Sequence, residues 1–206
     1  MTHTFTLSRM AVALGTAMLA AAGAHAQISD DVVRIGVMGD MNGPYAANGG
    51  PGSVLAARMA VEDFGGKVLG KNIEIVVADD QNKPDIGTNM ARQWIEQDKV
   101  DVILGGSASS IALSVTELMK KANKPYLIAG TVTDALTGKS CSPMNVQFLV
   151  DTYSLPKAGV QSMIKQGLKT FFFITVDYAF GAALHDFTPG RLVQVIQASA
   201  LITIVL

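Results

Sequence analysis

Beginning at Val32, the chain repeats one pattern: a short apolar run without polar alternation, a turn, then a longer stretch whose apolar residues recur at spacings of three and four. The apolar runs are residues 32–38, 73–78, 102–104 and 125–129. Between them lie residues 53–64, with Val54, Ala57, Val61 and Phe64 on one helical face, and 85–97, with Ile86, Met90, Trp94 and Ile95 on another; residues 110–122 form a third such stretch. A strand that faces water on one side alternates polar with apolar. Strands apolar throughout must be covered on both faces, and amphipathic helices between them provide the cover. The pattern predicts an α/β fold, a doubly wound parallel sheet in the order β-α-β-α-β-α-β, with right-handed connections.

After Thr137 the rhythm breaks. Residues 138–143 read as a loop and 144–150 as an extended run able to cross between two units. Residues 152–166 are again helical and 171–176 form a very apolar strand, which reads as the opening of a second unit of the same type. From about Leu184 the pattern fits poorly: Pro189-Gly190 interrupts the expected helix, and residues 192–206 carry no charge. One strand and one helix cannot bury their own faces. A first α/β lobe is therefore expected over 27–147, and a partial second lobe with an aberrant tail over 148–206, as in a truncated chain.

The first 26 residues stand apart from this pattern. Arg9 gives a positive start, residues 10–22 are small and apolar, and Ala24-His25-Ala26 places small residues where a signal peptidase reads. This three-part arrangement predicts a secretory signal cleaved after Ala26, with an apolar run too short to span a bilayer comfortably. No cysteine follows the cleavage point, so a lipid anchor is not expected, and the product should be free outside the inner membrane. Cys141 is the single cysteine.

Several chemistries find no support. The formal net charge is −1 with no basic block, which argues against nucleic acid as a partner. The turn Gly36-Val37-Met38-Gly39-Asp40-Met41 lacks the three-glycine dinucleotide fingerprint, and Gly138-Lys139-Ser140 has Thr133 where a phosphate-binding loop needs glycine. His3, His25 and His185 assemble neither a zinc site nor a Ser-His-Asp set. Asp79-Asp80 reads as a helix cap or solvated loop rather than an acid-base pair. No enzyme activity, cofactor or metal is expected.

What remains sits where an open parallel sheet binds ligands, at the carboxyl ends of its strands. Gly105-Gly106-Ser107-Ala108-Ser109-Ser110 runs from a strand into a helix, and Ala129-Gly130-Thr131-Val132-Thr133 closes the next strand. Two neighbouring ends rich in Gly, Ser and Thr aim backbone N–H groups and hydroxyls into one crevice, and the helix start adds partial positive charge. With no Lys or Arg nearby, the array suits a single carboxylate rather than a phosphate chain.

Ile35-Gly36-Val37, Asn42-Gly43-Pro44-Tyr45 and Asn48-Gly49-Gly50 together resemble the opening of branched-chain amino acid-type periplasmic binding proteins of ABC transporters. Asp79-Asp80-Gln81-Asn82-Lys83-Pro84-Asp85, the 105–110 segment and Val176-Asp177-Tyr178-Ala179-Phe180-Gly181 extend the resemblance, in order, from about Val32 to Ala183. The resemblance implies two α/β lobes joined by a hinge, a small carboxylate-bearing solute such as a branched-chain or related amino acid held between them, and an ABC transporter permease as partner. It assigns the ligand's carboxylate to the loops holding Ser107, Ala108 and Ser109 and Gly130 and Thr131, with Ala129 and Thr133 also candidates. Tyr45 is implied to line the pocket from the first lobe, and Tyr153 and Tyr178 to face it from the second. An exported sensor on the same scaffold, or a truncated product that binds nothing, are the alternatives. Residues 184–206 resemble nothing in the expected continuation, and family members are roughly twice as long.

Overall fold

The computed structural model describes residues 28–168, 170–186 and 191–198, so the expected secretory signal and Pro189-Gly190 lie outside the described residues. The first part of the chain runs β1 (Val32–Gly39), α1 (Ala46–Gly49), α2 (Pro51–Asp63), β2 (Lys67–Val68), β3 (Lys71–Asp79), α3 (Pro84–Glu96), β4 (Val102–Gly105), α4 (Ser109–Ala122), β5 (Tyr126–Ile128) and β6 (Asn145–Gln147). These strands make one sheet in the order β2-β3-β1-β4-β5-β6, parallel except for the β2–β3 hairpin. The order and direction are those of the doubly wound sheet predicted from the apolar runs.

Helix starts and stops follow local chemistry. Pro84 opens α3 with Asp85 in its first turn; Lys120 and Lys121 occupy the last turn of α4, which ends on Asn123 in the left-handed conformation. One face of the sheet holds the larger core, in which Met38, Ala78, Ile103, Tyr126 and Ile128 pack against Ala91 and Trp94 of α3 and Ile111, Val115 and Met119 of α4. The other face holds a smaller cluster of Val37 with Val54 and Ala57 of α2. The α2 face differs from expectation: Val61 is only half-buried and Phe64 is 66% exposed. Phe64 is the C-cap, where the chain leaves the helix for Gly65-Gly66, so its side chain no longer points along the buried stripe.

A second sheet follows. It comprises α5 (Ser154–Lys165), β7 (Thr170–Val176), α6 (Ala179–Asp186) and β8 (Arg191–Ala198), with β7 and β8 parallel. The extended stretch expected over 144–150 is regular only as β6, and Phe148, Leu149 and Val150 beyond it are exposed. Residues 191–198, expected to belong to an aberrant tail, form β8 and pair in parallel with β7, with a shift of register between Phe171 and Phe172.

The tightest backbone requirement lies at the end of β4. Gly105 has φ +138 and Gly106 φ +84, and a Cβ on Gly105 would stand 1.9 Å from the Met38 carbonyl oxygen of β1. Only glycine relieves both the positive φ and the backbone clash. Gly105→Ala is expected to lower stability by about 2 kcal/mol or more in urea unfolding. A variant within about 0.5 kcal/mol of the parent contradicts this account.

Candidate functional site

From β1 the chain crosses to β3 on one side and then returns to β4 on the other. The loops after β1 and β4 therefore diverge and leave a crevice between them, the place where open α/β sheets bind ligands. Two close contacts bring the loops together. A Cβ on Gly39 would lie 2.1 Å from the Gly49 carbonyl oxygen, and one on Gly49 would touch the Ser107 side chain at 3.4 Å. Asp40, 1% exposed, holds the first loop in shape: its carboxylate accepts the N–H of Gly43 at 2.7 Å and of Tyr45 at 2.9 Å.

The resulting cleft encloses about 360 Å³. Tyr45, Asn48 and Gly49 form one wall, Ser107 and Ser109 the floor, and Ala129, Gly130 and Val132 the wall after β5. Leu149, Tyr178 and Phe180 close it from beyond the first sheet. The Tyr45 and Tyr178 hydroxyls hydrogen-bond each other across the cleft, tying the loop after β1 to the segment before α6. Burial and this bond hold the Tyr178 phenol well above its ordinary range, so it is neutral and available as a donor.

The floor is rich in donors. Among the described residues, the N–H groups of Ser107, Ser109, Ser110, Gly130 and Val132 meet no acceptor, and the Ser109 hydroxyl, 3% exposed as a residue, makes no hydrogen bond. At the start of α4 these N–H groups are the ones a helix leaves unpaired, and the helix dipole adds to their pull on an anion. Among the described residues, no charged side chain lines the cleft. The array can hold one carboxylate by hydrogen bonds alone.

The structure gathers Tyr45, Ser107, Ser109, Ala129, Gly130 and Tyr178 of the sequence candidates around the cleft, but not the other four. Ala108 is the N-cap of α4 and lies in the core. Thr131 is buried and donates to the Gly106 carbonyl, and Thr133 caps the 3-10 turn Asp134–Leu136 by accepting from Ala135 N–H. Tyr153 is the N-cap of α5 and 47% exposed, with the Lys157 ammonium bonded to its hydroxyl at 2.7 Å. Asn48, Gly49, Val132, Leu149 and Phe180 line the cleft without having been candidates. Asn48, Gly49 and Phe180 fall inside the motifs that carry the resemblance.

Gly138-Lys139-Ser140 is a surface turn after the 3-10 segment. Asp79-Asp80 divides its duties in a way the sequence did not reveal. Asp79 accepts the Met41 and Gln81 N–H groups, which hold its carboxyl below the usual range. Asp80 is neither a helix cap nor solvated: it is fully buried under the floor, accepting Asn82 N–H at 2.9 Å and the Ser107 hydroxyl at 3.4 Å. Nearby, the buried Tyr126 hydroxyl has no partner among the described residues and fills the space under Gly106, where a Cβ would stand 2.3 Å from it.

Burial raises the Asp80 carboxyl above its ordinary value of 3.8, outweighing the lowering by Asn82 N–H and Ser107. The folded state thus holds this proton more tightly than the unfolded chain. Between the ordinary value and the raised one, stability falls as pH rises. In urea unfolding from about pH 4 to about pH 8, the wild type is expected to lose stability relative to Asp80→Asn as pH increases. A difference that does not change with pH contradicts this.

The chain matches the periplasmic binding protein family over residues 32–198, fifteen residues beyond the point near Ala183 where the motifs of the sequence stop. The family match thus takes in residues 184–198, which the motifs read from the sequence did not reach. The Leu/Ile/Val-binding protein homolog 6 of Brucella abortus is 29% identical over 195 residues, covering 90% of this chain and 48% of that protein. The chain thus spans about half the length of the curated relatives it matches. A periplasmic binding protein of Burkholderia mallei superposes with a TM-score of 0.78 at 42% identity, over 82% of this chain and 47% of the other. A solute-binding protein of an ABC transporter from Rhodopseudomonas palustris, solved with 3,4-dihydroxybenzoic acid, gives 0.71 at 28% identity over 82% and 47%. With the family match spanning both sheets and the architecture shared with these solved proteins, the chain belongs to the periplasmic binding protein family.

Proposed function

We propose that this chain forms the capturing part of an extracytoplasmic solute-binding protein, one that holds a small carboxylate-bearing solute and presents it to the permease of an ABC importer. The observation that carries the reading is that Ser107, Ser109, Gly130 and Val132, whose N–H groups meet no acceptor among the described residues, line one cleft. A carboxylate that leaves water for this cleft exchanges hydration for several fixed donors. Hydrogen bonds to a charged group are worth about 1.5–3 kcal/mol each, and a donor set that does not reorganise loses little of that. The named relatives support a carboxylate as the common element: a Leu/Ile/Val-binding homolog implies an amino acid, and the R. palustris protein holds an aromatic acid.

Tyr45 and Tyr178 give the reading a second element. Their bond joins the two sides of the cleft, so a solute seated on the floor lies beneath a contact that can open and re-form as it enters and leaves. A binding protein that must release its solute to a permease needs such a reversible closure rather than a sealed cavity.

Ser109 is the side chain on which this placement is most exposed to test, because it lines the cleft and its hydroxyl makes no hydrogen bond among the described residues. Titration calorimetry across amino acids and aromatic acids is expected to find a carboxylate ligand whose affinity falls about tenfold in Ser109→Ala, matching the loss of one charged hydrogen bond. Lys120→Ala, exposed at the far end of α4, is expected to bind like the parent. A Ser109→Ala variant that binds the best ligand as tightly as the parent overturns this placement.

A further inference from the structure

Ser107 belongs to two environments at once. It lines the cleft, and its hydroxyl donates to Oδ2 of the fully buried Asp80 at 3.4 Å. Asp80 Oδ1 accepts the Asn82 N–H at 2.9 Å, and a Cβ on Gly87 of α3 would stand 3.4 Å from the Asp80 Cβ. The charged and titratable groups that act on Asp80 are Asp40 in the loop after β1, Asp79 at the end of β3 and the Tyr126 phenol of β5. Burial disfavours its charge most, the hydrogen bonds from Asn82 and Ser107 favour it, and Asp40 and Asp79 disfavour it further.

A hydroxyl has one proton to donate. While Asp80 is ionised, Ser107 spends that proton on it, and a solute carboxylate resting on Ser107 meets a like charge behind the hydroxyl. Like charges held close together in a poorly solvated place cannot both ionise freely. A proton on Oδ2 reverses the order: the neutral acid donates to Ser107 Oγ, and the Ser107 hydroxyl is released to donate to the solute. Asn82 N–H stays on Oδ1 in both states.

Resting on the carboxylate reading above, we infer that Asp80 is a proton-linked positioning residue: capture of a carboxylate solute brings a proton from solvent onto Asp80 Oδ2, which turns the Ser107 hydroxyl into a donor for the solute. Release of the solute returns the proton. The solute-bound protein therefore holds this proton more tightly than the free protein. Affinity is highest below the pH at which Asp80 ionises in the free protein, falls as pH rises from there to the ionisation of the bound protein, and is level above it.

The test is calorimetric titration of the full chain with benzoate and with L-leucine at pH 5.5 and pH 8, in pairs of buffers that differ in ionisation enthalpy. Folding is checked by circular dichroism on the same preparation. The expected result is severalfold tighter binding at pH 5.5, with a fraction of a proton taken up per solute. Asp80→Asn, whose amide donates to Ser107 as the neutral acid does, is expected to bind at pH 8 about as tightly as the wild type at pH 5.5, changing less than twofold with pH and taking up no proton. A side chain that only props up the floor would weaken binding alike at both pH values. Should the variant fail to fold, the Asp80 carboxyl carbon of the wild type, followed by NMR, is expected to titrate at higher pH with saturating solute than without. Binding that is equal at both pH values without proton uptake, or a titration that solute leaves in place, overturns the linkage and leaves the carboxylate site standing. A folded chain that binds neither compound overturns the carboxylate site and the linkage with it.

Discussion

Gly105 turns the chain at the end of β4 with its Cα directly over the Met38 carbonyl, and every feature of the cleft depends on that close approach. A side chain there would push β4 and β1 apart at the point where their loops diverge. With hydrogen in its place, Gly106 follows in a second positive-φ conformation, the Ser107 hydroxyl donates to Asp80, and α4 begins at Ser109, which lines the cleft. The floor is therefore a product of backbone geometry. Its donors are main-chain groups whose positions are set by the sheet, so binding a carboxylate requires little ordering of side chains.

Charge is handled by exclusion rather than by pairing. Asp40 and Asp80 are both buried near the cleft, yet each spends its oxygens on the loops themselves: Asp40 on Gly43 and Tyr45, Asp80 on Asn82 and Ser107. The carboxylates shape the loops and keep their own charge out of the cleft. Burial raises the Asp80 carboxyl above its ordinary value. The opposite wall is formed by Leu149, Tyr178 and Phe180, and burial holds the Tyr178 phenol above its ordinary range.

The sheet was legible because its strands are apolar on both faces, a property that only helix-covered parallel strands need. β1, β3, β4 and β5 appear where the runs of Val, Ile and Leu place them, and α3 and α4 where the apolar spacings do. α1 and β2 escaped because four and two residues carry no period. β8 was missed because Pro189-Gly190 reads in the sequence as a break just ahead of it. Within the cleft, Ser107, Ser109 and Gly130 were visible as strand-end chemistry. Thr131 and Thr133 share that composition, yet both are buried and their hydroxyls serve the loops. Leu149 reaches the cleft only through the tertiary fold, which no local pattern encodes.

The central claim is that main-chain donors at 107–110 and 130–132 receive a carboxylate. Amide proton chemical shifts of the isotopically labelled chain during titration with benzoate examine those groups individually. The account predicts saturable downfield shifts concentrated on Ser109, Ser110, Gly130 and Val132, because a carboxylate oxygen deshields the protons it accepts. Shifts that leave these four amides in place while others move contradict it.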